Sequence, residues 1–435
     1  MRRRARKGGG RQIELVIEAI GARGDGFGIV DGRPVFVPFT VPGDRVLARI
    51  TGEHTGGLRA VAVELLAEGP GRALPPCPYF GLCGGCALQH LDEAGYVEWK
   101  QALVGRALAQ RGITDASVMP LRRVGQQTRR RMVLAAAKKG GRLRLGLHER
   151  ASHTVVDLDT CLLVTPGLLA LLPPLRMALE VLMADGESAA VTASETDNGL
   201  DVLILSRTVP ALEAREALAD LAQAADLARL SWAHTPRPGE AAEPEPVAIR
   251  RPPVLHFGDV TVEPPPGGFL QPTAVGEKQL VEAVLDGVPA EARRVADLYA
   301  GCGTFTFPLA KQHRVHAVEG DSAALAALWT AARRADLAGR VSVEERDLAR
   351  DPLIMVELNE FDAVVFDPPR TGAQEQVTML AASTVPTVVA VSCNPATFAR
   401  DARILIDGGY ALIEVVPVDQ FPWSGHLELV GRFRR

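Results

Sequence analysis

The chain has 435 residues, 47% of them hydrophobic and 23% charged, which suits two to four globular domains with buried cores. Its formal net charge of -4 does not announce a nucleic-acid binder, and six cysteines are too sparse for a secreted disulfide scaffold. No transmembrane segment is expected: the most apolar stretch, 167–183, is broken by Pro173 and Pro174 and carries Arg176 and Glu180.

Residues 1–11 carry Arg2, Arg3, Arg4, Arg6, Lys7 and Arg11 without an acid. Such a tail is either solvated or in contact with phosphates. No apolar core and cleavage site follow it, so no secretory signal is expected and the cytoplasm is the default location.

Residues 12–66 read as a small β-rich module. IELVIEAIG alternates apolar and polar residues as a half-buried strand does, and Gly24, Gly26, Gly28 and Gly32 precede PVFVPFTVPGD. Short strands between Gly and Pro turns point to a small barrel. GDGFGIVDGRPVFVPFTVPGDRV resembles a TRAM domain, an OB-like barrel that presents RNA to a modifying enzyme; an anonymous five-strand barrel is the plainer alternative.

Residues 67–255 form an α+β middle region. It holds the helix-like EAGYVEWKQALVGRALAQRG, the strand-like RMVLAAA and LDVLILS, and four of the six cysteines. Cys77, Cys83 and Cys86 follow a C-x5-C-x2-C spacing, and Cys161 is the fourth candidate ligand. From spacing alone, a four-cysteine zinc site and a [4Fe–4S] cluster are equally open. TRRRMV supplies Arg129, Arg130 and Arg131, and HERASHTVVD supplies His148, Arg150 and His153, as RNA contacts or as a solvated basic face. The Pro- and Glu-rich TPRPGEAAEPEPVAIRRPP reads as a loop or linker.

From 256 to 435, apolar strands (VADLY, VHAVEG, AVVFDPP, TVVAVSC, YALIEVVPV) alternate with helical stretches such as ALAALWTAARRADLAG and TFARDARILIDGG. This predicts an α/β fold with an open, doubly wound sheet buried on both faces. VADLYAGCGTFTFPLA is a strand, a Gly-rich turn and a helix start, and Glu319 ends the next strand, where an acid can accept from ribose hydroxyls. Dinucleotide-binding loops look similar. DLYAGCGTFTFPLA resembles motif I of the Rossmann-like class I methyltransferases, which use S-adenosylmethionine, and Phe305 to Phe307 stand where a dinucleotide loop has its third glycine.

Three segments follow in order: FDPPRTG, SCNPATFARD and FPWSGHLELV. Cys393 ends a strand before a polar turn and a helix start, which exposes its sulfur and favours a thiolate. A lone strand cysteine is otherwise a small buried hydrophobe. The last two segments resemble the signatures of the RNA uracil-5-methyltransferase family. That resemblance implies Cys393 as nucleophile, Glu428 as the base that removes the carbon-5 proton, and His426 as a neighbour of the base. It also implies cofactor contacts from Gln271 in PGGFLQPT, with Thr273 where Asn is usual, and from Tyr299, Thr304, Glu319, Asp347 and Asp367. Family members that carry both the barrel and the cysteines hold a [4Fe–4S] cluster on Cys77, Cys83, Cys86 and Cys161 and act on 23S ribosomal RNA; this, with a monomer, is the expectation here. A tRNA uridine methyltransferase, or a non-catalytic iron–sulfur RNA-binding protein, are the alternatives.

Overall fold

The computed structural model describes residues 10–54, 56–237, 240 and 242–435. The basic run from Arg2 to Lys7 lies outside the described residues. The chain divides into two compact units. One runs through Leu103 and takes in Trp423–Gly425; the other comprises Val104–Pro422 and His426–Arg435.

The first unit is strand-rich, with β1 (Gln12–Val16), β2 (Ala19–Ile20), β3 (Gly26–Val30), β4 (Arg33–Val37), β5 (Arg45–His54) and β6 (Gly57–Ala67) in one sheet of order β1-β5-β6-β4-β3-β2. The alternation read in the sequence buries Ile13 and Leu15 against Val35, Val37, Val46 and Ala48. Gly28 is required by close approach: a Cβ there would lie 2.1 Å from the Val16 carbonyl oxygen. This arrangement is consistent with the barrel-like module expected. Helix α1 (Glu93–Ala109) starts in this unit, where Tyr96 and Trp99 pack with Leu88, Leu91 and Trp423.

The second unit holds two large sheets and a two-stranded hairpin. After the short strands β7 (Ser117–Val118) and β8 (Arg122–Arg123) come β9 (Arg131–Lys139), β10 (Arg142–His148), β11 (Val155–Asp157), helices α2 (Pro166–Ala170) and α3 (Leu172–Leu182), β12 (Ser188–Thr196), β13 (Gly199–Ser206), α4 (Leu212–Ala224), β14 (Arg229–His234) and β15 (Glu245–Ile249). The strands from β9 onward form a seven-stranded sheet ordered β11-β10-β9-β12-β13-β14-β15. Its one parallel pair, β13 and β14, carries a buried two-pronged ion pair, Arg229 to Asp201, with both bonds 2.8 Å. The stretch read as a linker is in part structured: residues 245–249 add the edge strand β15 to β14. An edge tolerates Pro246, which lacks an N–H, and that is why composition concealed the strand.

A hairpin of β16 (Leu255–Phe257) and β17 (Val260–Val262) leads to α5 (Ala274–Gly287), β18 (Arg294–Leu298), α6 (Thr306–Ala310), β19 (Arg314–Glu319), α7 (Ser322–Arg334), β20 (Val341–Glu345), α8 (Met355–Leu358), β21 (Ala363–Phe366), α9 (Gln374–Ala382), β22 (Thr387–Ser392), α10 (Pro395–Asp407), β23 (Ala411–Asp419) and β24 (Glu428–Arg434). The strands from β18 onward form a sheet ordered β20-β19-β18-β21-β22-β24-β23-β7, with β8 also on β23. β18 to β22 run parallel and β24 is antiparallel to both neighbours. Both faces are covered. Val295, Val315 and Val365 pack with Leu280 and Leu328, while the alternate residues Ala296, Leu298 and Val364 pack with Val377, Phe398 and Leu405. The doubly wound sheet expected from the strand–helix alternation is therefore present. Among the described residues no helix is long and apolar enough to cross a membrane.

Candidate active site

Strand order reverses at β18, whose neighbours β19 and β21 lead to opposite edges. In open α/β sheets, ligands bind at the carboxyl ends of the strands at such a switch point. The loop from Tyr299 to Phe305 leaves β18 there. Gly301 and Gly303 have φ of 55° and 100°, and a Cβ on Gly303 would meet the Phe307 ring at 2.5 Å. Tyr299 holds φ 60°, a left-handed conformation uncommon for a non-glycine residue and frequent at functional sites. Glu319, at the end of β19, accepts from the Gly301 N–H and the Asp321 N–H, each at 2.8 Å, so its carboxylate is fixed beside the loop. Thr304 is half-buried in the same loop, and Asp347 is exposed just after β20.

Asp297, in β18, is fully buried. Thr306 Oγ1 donates to its Oδ2 at 2.5 Å, while its Oδ1 has no partner. Burial, with the nearby Asp367 and Glu319, pushes this carboxyl up to about 7. Cys302 is also buried, its thiol pushed up to about 12 chiefly by that burial, which makes it inert. An orphaned acceptor, a Cβ-free turn and a fixed carboxylate suit a ligand with amine and ribose donors.

The carboxyl ends of β21 and β22 carry the candidate reacting groups. Asp367 follows β21 and accepts from Gln271 Nε2 at 3.1 Å; burial raises it to about 7. Cys393 follows β22. Ser392, the last residue of β22, pairs with Leu429 of β24, so Cys393 and Glu428 each adjoin that pair, and the Glu428 charge acts on the Cys393 thiol. Asn394 caps α10 by accepting from the Ala396 N–H at 3.1 Å, with Pro395 at the first helical position. Asn394 Nδ2 also donates to the Arg370 carbonyl at 3.2 Å, which ties the cysteine turn to the DPPR loop. Burial, then the charges of Glu428 and Asp367, push the Cys393 thiol up to about 11, against the opposing pull of Arg370. Glu428 is 4% exposed, and burial, then Asp367, push it up to about 8. One of its oxygens, Oε2, has no partner.

Around this pair, Arg370 Nη2 lies 3.2 Å from His426 Nε2, the His426 and Phe421 rings meet edge-on at 5.7 Å, and Arg129 stacks over Phe421 at 5.4 Å. Sequence reasoning missed two of the site's members, Gln420 and Arg370. Gln420 has no motif of its own. Arg370 stood in the DPPR segment without a role.

The chain is similar over most of its length to known RNA-modifying proteins. Residues 259–433 match the family model described as tRNA (uracil-5-)-methyltransferase. An RNA methyltransferase of Caulobacter vibrioides, its own role uncharacterized, is 41% identical over 97% of this chain and 100% of that protein. The 23S rRNA (uracil(1939)-C(5))-methyltransferase RlmD of Chromohalobacter salexigens is 36% identical over 93% of this chain and 86% of that protein. This chain belongs to the RNA uracil-5-methyltransferase family. It is an S-adenosylmethionine-dependent enzyme, and the loop around Gly301 is its candidate cofactor site. The fold agrees with the structure of Pyrococcus abyssi tRNA (uracil-54, C5)-methyltransferase in complex with S-adenosyl-L-homocysteine. The TM-score is 0.74 at 23% identity, covering 97% of this chain and 100% of that one.

One expectation of this methyltransferase does not carry over to the structure. Arg130 is no RNA contact: it is buried, donating from Nη2 to Glu277 Oε2 at 2.6 Å and from Nε to the Gln271 carbonyl at 3.1 Å, and so anchors the segment that carries Gln271. Thr273 likewise serves α5 as its N-cap, accepting from the Gly276 N–H at 3.0 Å. His148, the last residue of β10, and His153 face each other edge-on at 6.2 Å. For the cysteines, none of the six is in a disulfide, and among the described residues no three His, Cys, Asp or Glu side chains gather as a metal ligand set. A [4Fe–4S] cluster needs four converging thiolates. The cluster expected on Cys77, Cys83, Cys86 and Cys161 is not shown by the structure.

Proposed function

We propose that this enzyme methylates carbon 5 of a uridine in 23S ribosomal RNA, in the cytoplasm, with Cys393 as nucleophile and Glu428 as base. The reading is supported by the Ser392–Leu429 pair, which Cys393 and Glu428 adjoin, and by the charges of Glu428 and Asp367 acting on the Cys393 thiol. Uracil carbon 5 is a poor nucleophile. Addition of the Cys393 thiolate to carbon 6 forms a C–S bond and gives an enolate at carbon 5. S-adenosylmethionine, when bound, supplies an electrophilic methyl group. Glu428 then takes the carbon-5 proton, the electron pair re-forms the ring double bond, and the C–S bond breaks to return the thiolate. Gln271, Tyr299, Thr304, Glu319, Asp347 and Asp367 are the proposed cofactor contacts.

The choice of ribosomal RNA is supported by the relative named for 23S rRNA, which covers nearly the whole chain. A tRNA uridine is the second reading, favoured by the fold match to a tRNA enzyme. Mapping 5-methyluridine in ribosomal and transfer RNA from a deletion strain decides between them. Loss of one 23S site is expected; loss confined to tRNA overturns the choice. Cys393→Ala is expected to abolish the covalent adduct with RNA containing 5-fluorouridine, and a persisting adduct would remove Cys393 from its role. A [4Fe–4S] centre on Cys77, Cys83, Cys86 and Cys161 is supported by spacing and family resemblance alone. Iron and sulfide analysis of anaerobically purified protein tests it: about four irons per chain supports the centre, and one zinc or no metal overturns it.

A further inference from the structure

Gln420 follows β23 and is completely buried. Its Nε2 donates to Gln271 Oε1 at 2.7 Å and to Glu428 Oε1 at 3.3 Å. Gln271 Nε2 in turn donates to Asp367 Oδ2 at 3.1 Å. Because Asp367 Oδ2 accepts, Gln271 must present its NH2 group to Asp367 and its carbonyl to Gln420. Gln420 must then present its own NH2 group; turned over, its carbonyl would face the Gln271 carbonyl. The series Asp367, Gln271, Gln420, Glu428 therefore has one polarity. Room for it comes from α5: a Cβ on Gly276 would lie 2.6 Å from Gln420 Oε1 and 2.8 Å from Gln420 Cβ. Of the two Glu428 oxygens, Oε1 is engaged by Gln420, while Oε2 is buried without a partner. A buried unpaired acceptor is costly and calls for a ligand.

We propose that Gln420 is a positioning residue for the base, holding Glu428 Oε1 so that Oε2 is the atom that takes the carbon-5 proton, and joining the base to the Gln271–Asp367 pair on the cofactor side. This rests on the Cys393–Glu428 mechanism. The proton moves from carbon 5 to Oε2, the C–H electron pair becomes the ring double bond, and the Cys393 thiolate leaves. Gln420 acts only on the step that Glu428 performs, so its loss separates two rates that a general structural defect would lower together. It also favours the ionised base, since its hydrogen bond lowers the Glu428 pKa.

The test is single-turnover kinetics of the full-length Gln420→Met enzyme, with S-adenosylmethionine and substrate RNA, from pH 6 to 9. Methionine keeps the volume and removes the donor. Adduct formation with 5-fluorouridine RNA is expected within about threefold of wild type, with release of methylated RNA slowed about tenfold or more and its profile moved to higher pH. Unchanged release with an unmoved profile, or equal loss in both steps, overturns the inference while leaving the Cys393 reading intact. Absence of any adduct in the wild type would instead sink that reading. Should the methionine variant fail to fold, Gln420→Glu is isosteric. It is expected to match wild-type release near pH 6 and to fall progressively behind toward pH 9, where a carboxylate only accepts and repels Glu428. A Gln420→Glu enzyme that keeps pace throughout overturns the inference.

Discussion

At pH 7 both proposed reacting groups hold a proton. Burial is the first cause for each: it pushes the Cys393 thiol up to about 11 and the Glu428 carboxyl up to about 8. The two also oppose each other, since ionised Glu428 disfavours a thiolate beside it. A protonated Glu428 therefore helps Cys393 ionise and add, whereas the later proton abstraction needs Glu428 ionised. The sign follows. Wild-type turnover should rise with pH between 6 and 9, as both groups lose protons. In Glu428→Gln, which carries no charge at any pH, adduct formation should persist while methylated RNA stays bound to the protein. Gel-shift assays of the methylated adduct and steady-state rates across that range measure both effects. A profile that falls above pH 7, or a Glu428→Gln enzyme that turns over freely, contradicts the assignment.

The turn that follows β22 is a small element with a large share of the site. Asn394 caps α10 with its oxygen and holds the Arg370 carbonyl with its nitrogen, and Thr397 Oγ1 reaches the same carbonyl at 3.4 Å. Asn394→Ala should cost about 1 kcal/mol of stability by loss of the cap and should slow adduct formation by loosening the cysteine turn. Asn394→Asp keeps the cap but not the donor, so it should recover stability without recovering the rate. Urea unfolding beside adduct kinetics separates the two roles, and equal behaviour of the two variants argues against them. This turn was legible because strand, Ser-Cys-Asn-Pro and helix each leave a local signal. β24 was not: it contains Gly431 and charged arginines. The glycine belongs there because a Cβ would meet the Phe398 ring at 2.5 Å, a constraint set by α10 and invisible in the strand's own residues. β20 escaped for a similar reason, since its two glutamates break the apolar run and only Val341 is buried. Gln420 and Arg130 matter through partners well over a hundred residues away, which no local window contains.

Across the whole molecule, the methyltransferase sheet concentrates acids that are expensive to ionise. Asp297 and Asp367 are pushed up to about 7, Glu428 to about 8 and Glu277 to about 6, burial being the first cause in every case. Each folded-state value is raised above that of the unfolded chain. The stability these groups allow is therefore fully present below the ordinary carboxylate range and is lost as pH rises through about 6 to 8. Asp44 and Asp157 work in the opposite sense. Burial alone would raise them, but Arg72 and Arg176 with backbone N–H donors outweigh it, so their contribution is lost only as pH falls below the ordinary carboxylate range. The ligand-free protein should accordingly be most stable at about pH 4 to 5 and weaken toward pH 8.5, a slope carried by the catalytic unit rather than by surface charge. Asp297→Asn removes one contributor, and its carboxamide can still accept from Thr306. The variant should lose stability less steeply between pH 6 and pH 8.5 than wild type does. Urea midpoints at the two pH values measure it. An unchanged slope would mean that Asp297 ionises in the folded chain as readily as in the unfolded one, and that its unpartnered Oδ1 is better solvated than its burial implies.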